Sequence, residues 1–394
     1  MEKVILAYSG GLDTSCCIKW LRDKGFRVVC FSANLGSEYS PSELRRRALR
    51  SGADKIYVKD LRREFAYKYI LPSLKAGAVY QKKYLLSTAL GRPLIAKYLV
   101  EVAHKEKAQF VAHGCSAKGN DQVRFEMSIK ILNPKLKIIA PLREWGLTCR
   151  EAEIDYAKKN RLPIKVNKDK PYSIDKNLWG VSIEAGILED LGNEPQESAF
   201  ILTKSLEKTP SKPQYIEIEF EKGKPLRLNR KKLDLVSLIQ KLNQIGAHQG
   251  IGRTDLIEDR IVGIKSREIY EAPAGWILYT ALRELENLVL DREVLYFKEL
   301  VSLTYAQLIY RGLWFSSLRR ALDGFIEKIE ERATGKITLK LYKGNIIISK
   351  RESENSLYKK GLATYGEKDL FNKGWAEGFI NIWSLPFTDR RVEI

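Results

Sequence analysis

The chain has 394 residues, 44% of them hydrophobic, and a formal net charge of +19 at pH 7. This length favours two domains, and the apolar fraction is that of a globular protein. No apolar run approaches the roughly 20 residues of a membrane-spanning helix, and the opening MEKVILAYSG does not resemble a secretory signal. The five cysteines form no CxxC pair and only three histidines are present, which argues against disulfides and against a zinc centre. We therefore expect a cytoplasmic protein with no membrane partner.

The positive charge lies almost entirely in the first part of the chain. Residues 1–170 contain 34 Lys and Arg against 17 Asp and Glu, whereas residues 171–394 contain 34 against 32. A basic half of this kind suits a polyanion, either a nucleoside triphosphate or a nucleic acid. A surplus of lysine that only keeps the protein soluble is an equal alternative, so charge alone does not decide.

Short β-branched runs alternate with amphipathic segments through residues 1–165. The predicted strands are EKVILAY, FRVVCFSAN, DKIYVKD, AQFVAHG and KIIAPL. The predicted helices are Thr14–Lys24, SELRRRALRSG, a stretch to about Lys75 and another near Arg92–Lys107. This alternation is typical of a parallel sheet with helices on both faces. The sequence predicts an α/β fold whose N-terminal domain, residues 1–165, is doubly wound.

The pattern changes near residue 165. YIEIEF alternates strictly and predicts an antiparallel strand with one solvated face. Further strands are predicted at ITLKLYK and NIIISKR, and helices at about 231–245, 273–289 and 302–332. These elements indicate an α+β domain over residues 166–352.

Residues 353–394 form a predicted C-terminal arm. The arm contains several large apolar side chains: Trp375, Phe379, Ile382, Trp383 and Phe387. Such side chains in a terminal segment favour docking on another subunit, and we predict an oligomerisation arm. Packing of the arm on its own domain is an equal alternative.

The strongest local signal is AYSGGLDTS at residues 7–15, between the first predicted strand and the first helix. Gly10 and Gly11 lack a Cβ, so backbone N–H groups can approach phosphate oxygens where the helix N-terminus already favours an anion. Asp13 would repel phosphates unless it holds Mg²⁺ or caps the helix. A plain strand–helix turn is the alternative, but the full SGGxDxS string favours phosphate binding. It is neither GxxxxGKS nor GxGxxG.

Ala33, small and near the end of the second strand, leaves room for adenine or ribose.

A second polar cluster, HGCSAKGNDQVRFE at residues 113–126, follows another predicted strand. It is expected at the same edge of the sheet as the first loop. Asp121 and Arg124 are three residues apart, so they share one face of a helix and can meet one ligand. Arg124 can bind a carboxylate or phosphate with two parallel hydrogen bonds. The alternative is a capped helix start with an ordinary ion pair.

Five strings carry a family resemblance by their order and spacing. They are AYSGGLDTS, YLLSTALGRPLIAK, HGCSAKGNDQVRFE, PYSIDKNLWGVSIEAGILED and EDRIVGIKSREIYEAPAGWILY. The first resembles the loop of the ATP-pyrophosphatase superfamily, whose members cleave ATP between the α- and β-phosphates and transfer AMP. Together, the five resemble the argininosuccinate synthase family as far as about residue 300, with a weaker match beyond. The resemblance implies an adenine-nucleotide α-hydrolase-like N-terminal domain followed by a synthetase domain.

The resemblance also implies ligands for individual residues. ATP would contact Ala7, Tyr8, Ser9, Gly10, Gly11, Leu12, Asp13, Thr14, Ser15, Ala33 and Gly114. Citrulline would contact Tyr84, Asn120, Arg124, Ser173, Ser182, Glu258 and Tyr270. Aspartate would contact Ser116, Asn120 and Asp121. The implied catalytic residues are Asp13, Asp121 and Arg124, with Mg²⁺ accompanying ATP and no metal site formed by protein ligands alone.

Two positions depart from the family pattern. The family usually has a serine where this chain has Ala89, and a threonine where it has Ser116. Ser116 keeps the hydroxyl, whereas Ala89 cannot supply one.

The implied reaction is an adenylation. The ureido oxygen of citrulline would attack the α-phosphorus of ATP and release pyrophosphate, and the amine of aspartate would then expel AMP. No side-chain nucleophile is needed, so catalysis would depend on positioning and on stabilising phosphate charge, with Mg²⁺ on the leaving phosphates.

Two other functions use features of the same sequence. A tRNA-thiolating enzyme would combine the phosphate loop with cysteines, and Cys16, Cys17 and Cys115 lie near it; we expect Cys16 and Cys17 to pack within the first helix instead. A nucleotide sensor or RNA-binding module would need a basic face with interleaved aromatics, and KYLLSTALGRPLIAKYL is too apolar to supply one. We therefore predict no nucleic-acid partner.

Overall fold

In the computed structural model, which describes residues 1–36, 39–146, 150–163 and 172–388, the N-terminal domain has a parallel sheet at its centre. Its strands are β1 (Lys3–Ala7), β2 (Arg27–Asn34), β3 (Lys55–Asp60), β4 (Phe110–Ala112) and β5 (Lys137–Ile139). Their order is β3-β2-β1-β4-β5, and all pairings are parallel. In β1, Ile5 packs into one hydrophobic cluster while Val4 and Leu6 pack into another, because successive side chains point to opposite faces. Both faces of the sheet are covered, which confirms the predicted α/β fold.

The helices of this domain connect successive strands. They are α1 (Leu12–Asp23), α2 (Pro41–Arg50), α3 (Arg62–Phe65), α4 (Leu71–Lys75), α5 (Ser87–Glu106), α6 (Asn120–Leu132) and α7 (Arg150–Lys159). A π-helical turn, Ala66–Ile70, joins α3 to α4. The chain leaves β1 toward β2 and β3 and then returns to β4 on the other side of β1, so β1 and β4 flank the point where the strand order reverses. Ligands bind at such a point, outside the carboxyl ends of the strands.

Two antiparallel sheets follow. Their strands are β6 (Ser173–Lys176), β7 (Val181–Glu184), β8 (Gln214–Glu221), β9 (Lys224–Leu228), β10 (Lys231–Lys232), β11 (Arg253–Asp259), β12 (Lys265–Glu271), β13 (Gly335–Tyr342) and β14 (Asn345–Glu352). One sheet has the order β11-β12-β7-β6 and the other β10-β9-β8-β13-β14. The predicted YIEIEF strand is confirmed as part of β8, with Ile216, Ile218 and Phe220 buried on one face.

The remaining helices correct two predicted boundaries. They are α8 (Leu235–His248), α9 (Pro273–Val289), α10 (Arg292–Tyr310), α11 (Ser317–Glu330), α12 (Lys360–Ala363) and α13 (Lys373–Thr388). The single helix predicted over 302–332 is wrong, because the chain turns after Tyr310 at Gly312 (φ +74°) and Ser316 caps a new helix. The helix predicted from 231 begins four residues later because Asp234 caps it and 231–232 pair with β9. Short 3₁₀ turns lie at Pro141–Arg143, Gly186–Glu189, Glu197–Ala199 and Leu206–Lys208.

The last helix, α13, is apolar and exposed. Its large side chains are between 60% and 72% exposed: Trp375, Phe379, Ile382, Trp383 and Phe387. The alternative in which these side chains pack on their own domain therefore does not describe this structure. The boundaries at 165/166 and 352/353 and the oligomeric state stay predictions. Among the described residues, no helix combines the length and apolarity needed to cross a bilayer.

Candidate active site

The loop that follows β1 leads directly into α1 and exposes the start of that helix. Gly10 has φ +84°, and a Cβ there would lie 2.7 Å from Leu44 Cδ2, so the turn requires glycine. Ser9 Oγ lies 3.1 Å from Thr14 Oγ1 and accepts the Gly11 N–H at 3.3 Å. Gly11 is the N-cap of α1 and, in the described part of the chain, no side chain caps the helix. The first N–H groups of α1 are therefore available to an anion at the carboxyl end of β1.

Asp13 is exposed in the first turn of α1. The sequence left two roles open for it, a magnesium ligand or a helix cap. The cap position belongs to Gly11, two residues earlier, so the capping role is wrong. The carboxylate is oriented to solvent at the loop, where an oxygen ligand for a divalent cation fits.

The second loop follows β4 and meets the first. At Gly114 a Cβ would lie 3.0 Å from Thr14 Cγ2, so the two loops touch at this position. His113 Nδ1 accepts the Cys115 N–H at 3.3 Å, which places the ring proton on Nε2, where it can be donated to Glu126 Oε1 at 3.1 Å. The structure thus brings the two predicted loops to one edge of the sheet.

Arg124 and Asp121 form the predicted pair on one face of α6. Arg124 Nη1 donates to Asp121 Oδ1 at 2.8 Å, and Arg92 Nε donates to Asp121 Oδ2 at 2.9 Å. Arg92 also pairs with Asp175 on β6. Burial alone would raise the pKa of Asp121, but the charges of Arg92 and Arg124 outweigh it and lower that pKa to about 2.

The second terminal nitrogen of Arg124, Nη2, has a different environment. It is buried, and within the described residues no group accepts a hydrogen bond from it. A buried guanidinium N–H without an acceptor is costly, so this position is suited to an anionic ligand. The alternative reading, an ordinary ion pair at a capped helix start, accounts for Nη1 only, and the cap of α6 is Gly119.

Glu258 lies at the centre of a buried polar cluster. It is 2% exposed, and its Oε1 accepts from Asn120 Nδ2 at 3.1 Å and from the Tyr310 hydroxyl at 2.6 Å. The Tyr270 hydroxyl donates to Oε2. Four residues from three regions of the chain, including three of the predicted citrulline contacts, therefore share one site.

Tyr84 connects this cluster to β7. Its ring stacks on Tyr270 with centroids 3.9 Å apart, and its hydroxyl accepts the N–H groups of Thr88 and Ala89 at 3.1 and 3.2 Å. Thr88 Oγ1 lies 2.7 Å from Ser182 Oγ. The hydroxyl that Ala89 lacks is thus present on the adjacent residue, beside another predicted citrulline contact.

Three predicted site residues lie outside the buried Glu258 cluster. Ser116 is exposed in the second loop, and Ser173 is exposed at the start of β6, two residues from Asp175. Ala33 is half-buried near the end of β2, on the same edge as the loop of residues 7–15.

Sequence reasoning missed three residues of the site: Arg92, Thr88 and Tyr310. Arg92 and Thr88 lie within the YLLSTALGRPLIAK string, so that string already contained the signal. Tyr310 stands before Arg311 and Gly312, and the helix-ending glycine is the one local sign of its position.

In the described part of the chain, the cysteines near the two loops lie buried or half-buried. Cys16 and Cys17 are buried within α1, which confirms their packing role, and burial raises the pKa of Cys16 to about 12 and that of Cys17 well above its ordinary value. Burial also raises the pKa of Cys115. A thiolating enzyme needs an accessible thiolate. Cys16 and Cys17 are buried, whereas Cys115 is half-buried and only its raised pKa disfavours the thiolate. Cys149 lies outside the described residues.

The apolar segment of α5 lies in the protein core. Most of Ser87–Val100 is buried, as expected for a core helix rather than an RNA-binding face. Across the residues that the structure describes, no group of three or more His, Cys, Asp or Glu could hold a metal ion.

Comparisons with known proteins identify the family of this chain. Residues 3–163 match the family described as "Arginosuccinate synthase N-terminal HUP domain", and residues 172–389 match the "Arginosuccinate synthase C-terminal domain". The chain is 54% identical to argininosuccinate synthase of Carboxydothermus hydrogenoformans, over 99% of this chain and 98% of the relative. Identity is 51% to that of Pelotomaculum thermopropionicum (100% and 98%) and 50% to that of Aquifex aeolicus (98% and 96%).

A solved structure, a predicted subunit of tRNA methyltransferase from Methanocaldococcus jannaschii, matches at 18% identity with a TM-score of 0.29, over 40% of this chain and 76% of that one. This likeness is too low to support an argument. The two family matches and the full-length relatives, by contrast, establish the family of the chain. The chain belongs to the argininosuccinate synthase family and is a ligase.

Proposed function

We propose that the chain condenses citrulline with aspartate, using ATP, to form argininosuccinate, AMP and pyrophosphate through a citrulline-adenylate. The observation that carries the proposal is Arg124 Nη2, buried and without an acceptor among the described groups. Tyr310 links Arg124 to the Glu258 carboxylate. A buried guanidinium and a buried carboxylate in one site match the carboxylate and ammonium of an amino-acid substrate.

The loop of residues 7–15 is suited to ATP because its free N–H groups and the N-terminal end of α1 attract phosphate oxygens. We assign ATP contacts to this loop, to Ala33 and to Gly114. Asp13 would hold Mg²⁺ together with phosphate oxygens, since this ion takes one or two carboxylates and keeps the rest of its shell for substrate and water. When bound, the ion neutralises charge on the phosphates.

The reaction proceeds in two displacements. The citrulline ureido oxygen forms a bond to the α-phosphorus as the bond to pyrophosphate breaks. The amine of aspartate then bonds to the ureido carbon, the carbon–oxygen bond breaks, and AMP leaves with the former ureido oxygen. The side chains hold the reactants in line, which supplies the larger part of the rate enhancement in such transfers.

Asp121 is suited to hold the ammonium of aspartate, which loses one proton to water to become the attacking amine and a second as AMP departs. Its lowered pKa keeps it ionised at neutral pH, so it attracts a cation and is a weak base. Ser116 and Asn120 complete the aspartate site that we propose.

We propose citrulline contacts for Arg124, for Glu258 and for residues around the Glu258 cluster. Arg124 would bind its carboxylate and Glu258 its ammonium. The remaining contacts are Tyr84, Asn120, Ser173, Ser182 and Tyr270. The ureido group is uncharged, which fits the hydroxyls and amides among them.

We further propose a cytoplasmic homotetramer. The free thiols of Cys16, Cys17, Cys30 and Cys115 suit a reducing compartment. The exposed apolar face of α13 supports assembly, because a patch of that kind is rare on a monomer.

Heavy-oxygen labelling tests the chemical course. Citrulline labelled in its ureido oxygen, incubated with ATP, Mg²⁺ and aspartate, is expected to give labelled AMP and unlabelled argininosuccinate. The control is unlabelled citrulline in labelled water, which should give unlabelled AMP. Label in pyrophosphate would place the attack at another phosphorus, and label in water alone would exclude the adenylate.

A further inference from the structure

Tyr310 is a buried side chain that contacts both charged groups of the proposed citrulline site. It is the last residue of α10 and is 1% exposed. Its ring stacks on Tyr80 at 3.6 Å and 7°, and Arg124 Cζ lies 4.7 Å from the ring centre. Contacts within the protein therefore hold the Tyr310 ring in place without any substrate.

The hydrogen bonds of the Tyr310 hydroxyl have one possible direction. Asn120 Oδ1 accepts the Ile261 N–H at 2.8 Å, so the other end of that amide is the NH₂ group. Asn120 Nδ2 donates to the Tyr310 hydroxyl at 2.9 Å. The hydroxyl proton then goes to Glu258 Oε1 at 2.6 Å. Burial and the charge of Glu258 raise the pKa of Tyr310, so the phenol keeps this proton at neutral pH.

The main chain of Tyr310 fixes the other charged group. Its carbonyl oxygen accepts Arg124 Nε at 2.9 Å. This close approach depends on Gly312, where a Cβ would lie 2.6 Å from Arg124 Cα and where φ is +74°. One residue thus bonds a carboxylate through its hydroxyl and a guanidinium through its carbonyl.

We propose that Tyr310 is a positioning residue for citrulline that sets the Arg124 guanidinium and the Glu258 carboxylate at a fixed separation. The inference rests on the proposed function, in which these two groups bind the α-carboxylate and α-ammonium. A carboxylate offers about four lone-pair directions, and the Asn120, Tyr310 and Tyr270 side chains use three of them. The remaining direction is left for the ammonium.

Tyr310→Phe removes the hydroxyl and keeps the ring. The KM for citrulline is expected to rise roughly 10- to 100-fold, the range for losing a hydrogen bond to a charged group. We expect kcat to stay within about threefold and the KM values for ATP and aspartate within about twofold. The measurement is pyrophosphate release, with the thermal midpoint of each variant recorded. With 5-ureidopentanoate, which lacks the ammonium, the variant and the wild type should differ less than with citrulline.

Tyr305→Phe is the matched control. It lies on the same helix, is fully buried, and its hydroxyl donates to Asp323 Oδ1 at 2.7 Å, away from the site. It should lower the thermal midpoint similarly and leave the citrulline KM unchanged. Equal kinetics for the two variants, or a common rise in all three KM values, would overturn this inference and leave the proposed function standing. A folded wild type that releases no pyrophosphate with citrulline would overturn the proposed function and this inference with it.

Discussion

The carboxylate of Asp121 accepts Arg124 Nη1 at 2.8 Å, which holds the guanidinium so that its other terminal nitrogen, Nη2, stays buried without an acceptor among the described residues. The pair was expected from its spacing of three residues on a helix. Its consequence for ligand binding depends on the Tyr310 carbonyl, which takes up Nε and leaves a single nitrogen for substrate.

Truncation of Arg124 is expected to impair citrulline use severely. Arg124→Ala should cost roughly 2–5 kcal/mol of transition-state stabilisation in kcat/KM for citrulline. The reason is that the carboxylate of bound citrulline would lose its buried cationic partner. Arg124→Lys should restore little, since an ammonium lacks the planar fork. Arg283→Ala removes an exposed ion pair with Glu299 and should leave the kinetics unchanged. Near-normal citrulline kinetics in both Arg124 variants would exclude the proposed role.

Gly10 offers a sharp test of the proposed phosphate loop. Gly10→Ala combines a left-handed backbone with a Cβ placed 2.7 Å from Leu44, so the loop must move. We expect pyrophosphate release to fall by at least about 100-fold, roughly 2.7 kcal/mol. Gly25→Ala has nearly the same φ, +87°, but its Cβ would meet no described atom within 4 Å. This control should lose about 1–2 kcal/mol of stability from backbone strain and keep its activity. Equal activity losses in the two variants would count against a phosphate-binding loop.

Cysteine chemistry is expected to be dispensable. Single variants Cys16→Ala, Cys17→Ala and Cys115→Ala should keep citrulline-dependent pyrophosphate release within about threefold. The first two remove buried sulfur atoms and should lower the stability by about 1 kcal/mol. Loss of turnover in a correctly folded variant, or sulfur transfer to RNA by the wild type, would favour the thiolating alternative.

From the exposed apolar face of α13 we expect the protein to assemble into oligomers in a concentration-dependent way. Trp383→Asp places a charge on the apolar face of α13 and should shift the protein to smaller species in sedimentation velocity, because an interface tolerates no unpaired buried charge. Asn381→Asp adds the same charge at an exposed polar position of the same helix and is the matched control. Deleting residues 353–394 should act like Trp383→Asp. Unchanged sedimentation of the full-length Trp383 variant would show that this face does not mediate assembly.

Glu286 is expected to make the stability depend on pH. It lies buried with Lys298, which pairs at 2.7 Å with both Glu286 and Glu330. Burial, reinforced by the charge of Glu330 and opposed by Lys298, raises the pKa of Glu286 to about 8. Between the unfolded pKa of about 4.3 and pH 8, the folded state holds a proton that the unfolded state has released, so stability falls as pH rises.

Replacing this carboxyl by an amide should flatten that dependence. Glu286→Gln is expected to reduce the fall in unfolding free energy between pH 6 and 8 by up to about 1.4 kcal/mol per pH unit. Urea titrations at several pH values measure it, and the exposed Glu299→Gln is the control. Glu268, whose pKa burial also raises to about 8, should leave a residual slope. An unchanged slope in Glu286→Gln would refute the buried protonated state.

Local sequence was sufficient for the sheet and for the first loop. The β1 run is apolar because both of its faces are covered, and the alternation with helices requires parallel pairing. Gly10 and Gly11 follow that strand directly, so their place at its carboxyl end could be predicted without knowing any distant contact. The pairing of Asp121 with Arg124 followed in the same way from helical periodicity.

The Glu258 cluster could not be predicted from local pattern. Without the family resemblance, Glu258 and Tyr270 would have been taken for ordinary surface or capping residues. The structure buries both, and Asn120 contacts Glu258 and Tyr310 across separations of 138 and 190 residues. Likewise, the run 302–332 looked like one helix, and it breaks where Gly312 must lie against Arg124.

Local sequence was enough to predict the strands of the parallel sheet and the residues of the proposed phosphate loop, because propensity, periodicity and turn chemistry act over a few neighbours. Which polar side chains share a buried site depends on how distant segments pack together. Each such group needs a hydrogen-bonding partner when it loses water, and that partner is supplied by whichever distant segment packs against it. Tyr310 shows the difference, since its role is defined by two residues far from it in the chain.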